Sequence, residues 1–288
     1  MRKTLAVFLL ITLGACSQAP EEADTGEETP YSVSFFGELG NPHFRSFEGD
    51  IPDNREESID VEGEGREVAP DATILYTAAS FTDRGQVLVE PTGPVLGKAE
   101  DAPIDVVGIT EGSRVLQINP QETGAEIVVI DIHHTTAQGE EREIAGTASI
   151  TVGDDGVPTL GSSEPVEQLS TSIAIRGAGA QVAVDDHIYL QYSLYEAETG
   201  ELIDTTWPAS PILLDLEGTM EGLQTGIAEA PVGSRLLIQI PAHQAQGTDD
   251  LIAIVDILAV HEDEDVDDDM ESEPTSTSEP TELSSADS

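Results

Sequence analysis

Between positions 187 and 192 apolar and polar character alternates, with Ile188, Leu190 and Tyr192 on one side and His187, Tyr189 and Gln191 on the other. A period of two predicts a half-buried β-strand, because successive side chains of a strand point to opposite faces. Residues 235–240 and 251–258 are apolar runs rich in β-branched residues and bounded by Gly, Pro and Asp, which predicts two more strands. The spacing changes at Met220, Leu223 and Ile227, which share one face of a helix predicted over residues 219–228 and closed off by Pro231 and Gly233. At the N-terminus, Arg2 and Lys3 precede an apolar run over residues 5–13 that is too short to span a bilayer and reads as the core of a signal peptide. No later apolar stretch is long enough for a transmembrane helix.

The pattern is duplicated. Gly37–Pro42 recurs at 153–158, and Gly63-Glu64-Gly65 recurs as Gly177-Ala178-Gly179. Glu111-Gly112-Ser113-Arg114 recurs as Val232-Gly233-Ser234-Arg235, and the run ending in Asp131-Ile132 recurs as the run ending in Asp256-Ile257. The order is kept and the offset drifts only from 116 to 125 residues, so the chain is read as two copies of one domain. The copies are placed at 31–135 and 146–260, each long enough for its own core. One short helix among several strands predicts an α+β fold, an antiparallel sheet wrapped over that helix in each copy. In the first copy the helix falls at 97–107 and is broken by Pro103.

Composition alters the picture mainly at the ends and at the surface. Without residues 1–15 the chain holds 9 basic and 57 acidic residues, a net charge of −48. Residues 16–30 form a short acidic tether, and residues 261–288 are an acidic Ser/Thr/Pro tail expected to be disordered, since it has little apolar surface to bury. The body between them still carries 40 acids against 9 bases. Such a surface makes nucleic acid and anionic lipid poor partners. Solubility is the favoured reading of this acidity; with only Lys3 and Lys98 as lysines, adaptation to high salt is the sharper hypothesis beside it.

Leu13-Gly14-Ala15-Cys16 resembles the lipobox of bacterial lipoproteins. That resemblance implies lipid attachment at Cys16, the only cysteine, and an extracytoplasmic protein anchored to the cell membrane. Two or more acyl chains make such an anchor stable.

The second copy resembles the FKBP-type peptidyl-prolyl cis-trans isomerases along its length. The matching stretches are Asp186–Tyr192, Thr199–Thr206, Pro211-Ile212, Thr219–Leu223, Val232–Arg235, Ile240-Pro241, Ala245-Gln246-Gly247 and the closing strand at 252–258. The resemblance implies Tyr192 and Asp204 as the catalytic pair, orienting a bound prolyl peptide. It also implies a substrate pocket lined by Ile203, Ile212, Thr219, Met220, Leu223, Gln246 and Ala253. Where the family has aromatic rings this chain has Ile203, Ile212, Leu223, Gln246 and Ala253, and the loop between Gly247 and Leu251 is short, so a wider and shallower apolar pocket is expected. In the first copy either Tyr76 or Thr77 falls at the pocket tyrosine position, no Phe-Asp equivalent occurs within 86–90, and a structural or peptide-binding role is expected.

Read without the resemblance, several of these residues have plainer roles. Asp204 could cap a turn, Tyr192 could be core, and Trp207 beside Pro208 is as consistent with packing as with peptide contact. Arg114 and Arg235 recur after Gly-Ser and suggest a structural hydrogen bond. His133-His134 is a weak metal pair, because neighbours on a strand face opposite ways. No metal or cofactor is expected, and no phosphate-binding loop or recognisable catalytic triad is present. The functional expectation is a membrane-anchored prolyl isomerase that assists exported proteins, whose partners are proline-containing segments. The alternatives are a non-catalytic prolyl-peptide-binding or chaperone module, or a structural envelope protein.

Overall fold

A computed structural model describes residues 31–144, 148–153 and 156–261. Cys16, the signal segment, the tether and nearly all of the acidic tail lie outside the described residues. Among the described residues no helix is long and apolar enough to cross a membrane.

The chain opens with a hairpin of β1 (Tyr31–Phe36) and β2 (His43–Gly49). A six-stranded sheet follows, built from β3 (Glu56–Val61), β4 (Thr73–Thr82), β5 (Val87–Val89), β6 (Val95–Lys98), β7 (Arg114–Pro120) and β8 (Ala125–His133). After β9 (Glu140–Glu141) comes a second hairpin, β10 (Ile150–Val152) and β11 (Pro158–Leu160). The second sheet has seven strands: β9, β12 (Ser170–Arg176), β13 (His187–Glu196), β14 (Leu202–Thr205), β15 (Ile212–Asp215), β16 (Arg235–Ile240) and β17 (Leu251–His261). Helix α1 (Glu221–Ile227) precedes β16.

The two sheets have the same strand order. The first runs β3-β7-β8-β4-β5 with β6 also on β4, and the second runs β12-β16-β17-β13-β14 with β15 also on β13 and β9 added beyond β12. All pairings are antiparallel. The sequence repeat therefore reappears as repeated hydrogen bonds. Gly65 N–H donates to the Glu111 carbonyl at 3.0 Å, and Gly179 N–H donates to the Val232 carbonyl at 3.1 Å. Gly63 N–H donates to Ser113 Oγ at 2.9 Å, and Gly177 N–H to Ser234 Oγ at 3.0 Å. A Cβ on Gly63 would lie 2.2 Å from the Glu111 oxygen, and one on Gly177 would lie 2.0 Å from the Val232 oxygen. Glycine recurs at these positions because no side chain fits beneath the crossing loop.

Two apolar layers flank each sheet. In the second, α1 covers one face: Ile227, Leu236, Ile238, Val255 and Ile257 form a core around Leu190 and Leu216. Gly222 and Gly226 let the helix approach β16, since a Cβ on either would strike Ile240 or Ile238. The other face is covered by the β10–β11 hairpin, whose Ile150, Val157 and Leu160 pack on Tyr195, Leu237, Ile252 and Ile254. The β1–β2 hairpin does the same for the first sheet, with Phe35, Phe44 and Phe47 against Phe81, Leu116, Ile127 and Val129. Being covered on both sides, residues 251–259 of β17 are buried without interruption, and the period-two signal is lost there.

The expectation of a helix over each sheet is corrected for the first one. Among the described residues α1 is the only α-helix, and the first sheet carries instead a single 3-10 turn, Ala99–Asp101. Pro103 offers no N–H and restrains the residue before it, so the segment cannot continue as a helix. Ala99, Ile104 and Val106 pack as a loop on Ile74, Val115, Ile130 and Ile132. The second helix is also shorter than the sequence expectation, with Thr219 and Met220 preceding it and Ala228 as its C-cap.

Candidate functional site

The cleft lies between α1 and the face of the second sheet that α1 covers. On β13, Leu190, Tyr192 and Leu194 are two apart and face the same way. Strand β14 pairs with β13 so that Asp204 stands opposite Leu194, with a register shift between Leu194 and Tyr195. This places the Asp204 carboxylate at the Tyr192 hydroxyl, which donates to Asp204 Oδ2 in a very short contact. The other carboxylate oxygen accepts the Thr205 N–H at 2.9 Å. Thr206 clamps the strand from below: its Oγ1 accepts the Tyr192 N–H and its own N–H donates to the Tyr192 carbonyl, both at 2.9 Å.

Behind this polar rim is an apolar cleft of about 230 Å³, lined by Leu190, Leu194, Ile212, Leu214, Thr219, Met220, Leu223, Ile227 and Val255 together with Tyr192 and Asp204. That is below the range of drug-sized pockets and suits one ring or one side chain. Burial pushes the Tyr192 hydroxyl up to about 12, and its hydrogen bond to Asp204 and that residue's negative charge act in the same direction. The hydroxyl is thus a neutral donor throughout the physiological range.

Six of the nine residues proposed from the sequence meet in this cleft: Tyr192, Asp204, Ile212, Thr219, Met220 and Leu223. Ile203 and Gln246 do not. They line an adjoining groove of about 570 Å³ that shares Leu194 and Met220 with the cleft. Ile203 is the extra residue at the register shift, with Leu202 opposite Tyr195 and Asp204 opposite Leu194, and it is 54% exposed. Ala253 lies in neither. It is fully buried in the helix-side core, between Leu194 and Ile238 on the flanking strands. Asp204 is exposed. Leu190, Leu194, Leu214, Ile227 and Val255 were not anticipated as lining residues; the period-two neighbours of Tyr192 and Ile212 were the signal for three of them.

In the first sheet the corresponding positions are apolar. Asp131 pairs with Thr77 as Asp256 pairs with Gln191, so Ala78, and neither Tyr76 nor Thr77, stands at the Tyr192 position. Val89 opposite Ser80 takes the place of Asp204 opposite Leu194.

The solved structures similar to this chain are FKBP-type proteins. The three FKBP domains of wheat FKBP73 are 14% identical, with 73% of this chain and 96% of that one covered at a TM-score of 0.31. A peptidyl-prolyl cis-trans isomerase from Pseudomonas syringae is 15% identical, covering 34% of this chain and 80% of that one at 0.31. The N-terminal domain of FKBP42 from Arabidopsis thaliana is 18% identical, covering 43% of this chain and 100% of that one at 0.32. No family model and no curated protein matches the chain.

The remaining candidates lie away from the cleft. Trp207 is 7% exposed and packs with Val166, Tyr195 and Ile252 on the opposite face of the sheet, which decides for packing over peptide contact. Arg114 and Arg235 are buried in two-pronged ion pairs with Asp131 and Asp256, as their structural reading requires. His133 Nε2 is 2.8 Å from Thr77 Oγ1, and burial lowers its pKa to about 4. Burial also lowers that of His134. Among the described residues no three His, Cys, Asp or Glu side chains are grouped as a metal site would need.

Proposed function

We propose that this is an exported, lipid-anchored protein made of two tandem FKBP-like units, at 31–135 and 146–260, of which the second binds exposed prolyl segments and speeds rotation of the X–Pro bond. The reading is carried by one observation: a Tyr–Asp pair at the rim of an apolar cleft sized for a single ring. Amide resonance sets a barrier of about 20 kcal/mol to X–Pro rotation, and no nucleophile or metal is needed to lower it. A twisted amide has lost part of its resonance and its dipole, so a dry, apolar enclosure favours it over the planar ground state. In this cleft Leu190, Leu223 and Val255 supply the enclosure, and Asp204 fixes the Tyr192 hydroxyl beside the peptide backbone. The first unit, with Ala78 and Val89 at these positions, has no such pair and acts as spacer or binding surface.

Cys16 would carry the acyl chains, and residues 17–30 would hold the body at the outer face of the cell membrane. The clients would be exported proteins that fold there, beyond the reach of ATP-driven chaperones. Mass spectrometry of the mature N-terminus, with Cys16→Ser as the variant that should lose both acylation and membrane attachment, tests this part.

A second reading, binding without catalysis, is favoured by the exposure of Asp204. Water at the rim solvates the planar amide and lessens the gain from twisting it. NMR exchange spectroscopy of a short prolyl peptide with the full chain separates the two. Cis–trans exchange faster than in buffer supports the isomerase; peptide shifts without faster exchange support the binder; neither refutes both.

A further inference from the structure

The helix-side face of β13 continues past the cleft. Leu190, Tyr192, Leu194 and Glu196 lie two apart on one face; the first three line the apolar cleft, while Leu194 and Glu196 line the larger groove beside it. The far wall of that groove comes from β14 and the turn before it, where Leu202 and Ile203 are 47% and 54% exposed next to Glu201. Asp249 also lines the groove, and no basic side chain does. Its chemistry is therefore mixed: exposed aliphatic walls beneath carboxylates of one sign.

We propose that this groove is a specificity subsite for a Lys or Arg side chain flanking the proline, a proposal that rests on the prolyl-binding reading of the cleft. Lys and Arg are the side chains that match both halves of the surface, since their aliphatic stems cover apolar area while the charged head stays in water. The stem lies on Leu202 and Ile203 and the head meets Glu196 and Glu201. The spacing agrees. Glu196 is two residues beyond Leu194, about 6.6 Å along a strand, and an extended peptide with its ring in the cleft covers that distance in two residues. The preferred ligand is thus a prolyl segment with a cationic residue about two positions from the proline.

The test is an anisotropy titration of the full chain in about 0.15 M salt, where long-range attraction to the acidic surface is largely screened. Three matched labelled peptides are used, for each flank of the proline: one with Lys two positions away, one with norleucine in its place, and one with Lys kept and the proline replaced by Ala. The Lys–Pro peptide of one flank should bind about fivefold more tightly than its norleucine counterpart, the scale of one or two partly exposed ion pairs. Combining Glu196→Gln with Glu201→Gln should abolish that preference, whereas Glu48→Gln with Asp53→Asn, two exposed acids in the first half, should keep it. Equal affinity for the Lys and norleucine peptides overturns the subsite and leaves the prolyl reading standing. A preference that survives the Glu196/Glu201 variant also overturns it, because the attraction is then diffuse. Lys peptides that bind equally well with Ala in place of proline, or no binding by any peptide, overturn the prolyl reading and the subsite with it.

Discussion

Asp256 gives the sharpest stability prediction. Its carboxylate is fully buried and accepts three hydrogen bonds: from Arg235 Nε at 2.6 Å, from the Arg235 terminal nitrogen at 2.7 Å, and from the Ala137 N–H at 2.8 Å. Arg235 itself is 5% exposed. Asp256→Ala leaves a guanidinium without its counter-charge in the interior, a loss of about 3–5 kcal/mol. It also orphans the Ala137 amide, at about 1–3 kcal/mol more. Removing both charges with Arg235→Met/Asp256→Val should cost less than the single change, because only the amide is then left unsatisfied and apolar contact replaces the pair. Urea unfolding followed by fluorescence of Trp207, which packs on the second sheet, measures the difference. Asp256→Ala should shift the midpoint down with the slope unchanged, and the double variant should recover about 2–4 kcal/mol of the loss. A single variant that loses under about 1 kcal/mol, or a double variant less stable than the single, would refute the reasoning. The mirror experiment is Asp131→Ala, which strands Arg114 and the Gly40 amide of the β1–β2 turn in the same way.

Three further outcomes can be checked. His133, with its pKa lowered to about 4, is neutral in the fold but takes up a proton near 6.5 when unfolded. Stability should therefore fall as pH drops from 6.5 towards 4, by about 3 kcal/mol at most, and His133→Gln should flatten the midpoint-against-pH curve in that window. Gly63→Ala and Gly177→Ala, each pushing a Cβ to about 2 Å from a carbonyl oxygen, should each lower stability by about 1–3 kcal/mol in denaturant unfolding. Tyr192 should titrate at about pH 12 rather than with ordinary tyrosines near pH 10, and Asp204→Asn should bring it only part of the way down because burial is the larger cause, as followed by tyrosinate absorbance against a Tyr192→Phe blank.

Much of the second sheet was legible because its signals are local. The alternation at 187–192 and the run at 235–240 are strands, and the three-four spacing at 220–227 is the helix. The repeat was legible for a steric reason, since Gly63, Gly177 and the buried Arg–Asp pairs tolerate few substitutes. What failed depended on register and depth. A one-residue slip turns every side chain of a strand over, and this put Ala78 where Tyr76 or Thr77 was expected. The register shift in β14 leaves Ile203 unpaired beside Asp204, exposed and lining the neighbouring groove. Ala253 aligns with a pocket position, but its short side chain stays within the core between Leu194 and Ile238 of the flanking strands. The two hairpins on the outer faces left a trace only as repeated glycine turns, because their packing is between distant segments.

The claim that the Tyr192–Asp204 cleft receives a proline ring is tested most directly by intermolecular NMR contacts. A prolyl peptide labelled at its ring is mixed with protein labelled at the methyl groups of Leu190, Met220 and Leu223. The account predicts cross-peaks from the ring protons to these methyls and to the Tyr192 ring, reduced in Tyr192→Phe/Asp204→Ala. A bound peptide whose proline shows no contact to any of them, or a peptide that does not bind, would contradict it.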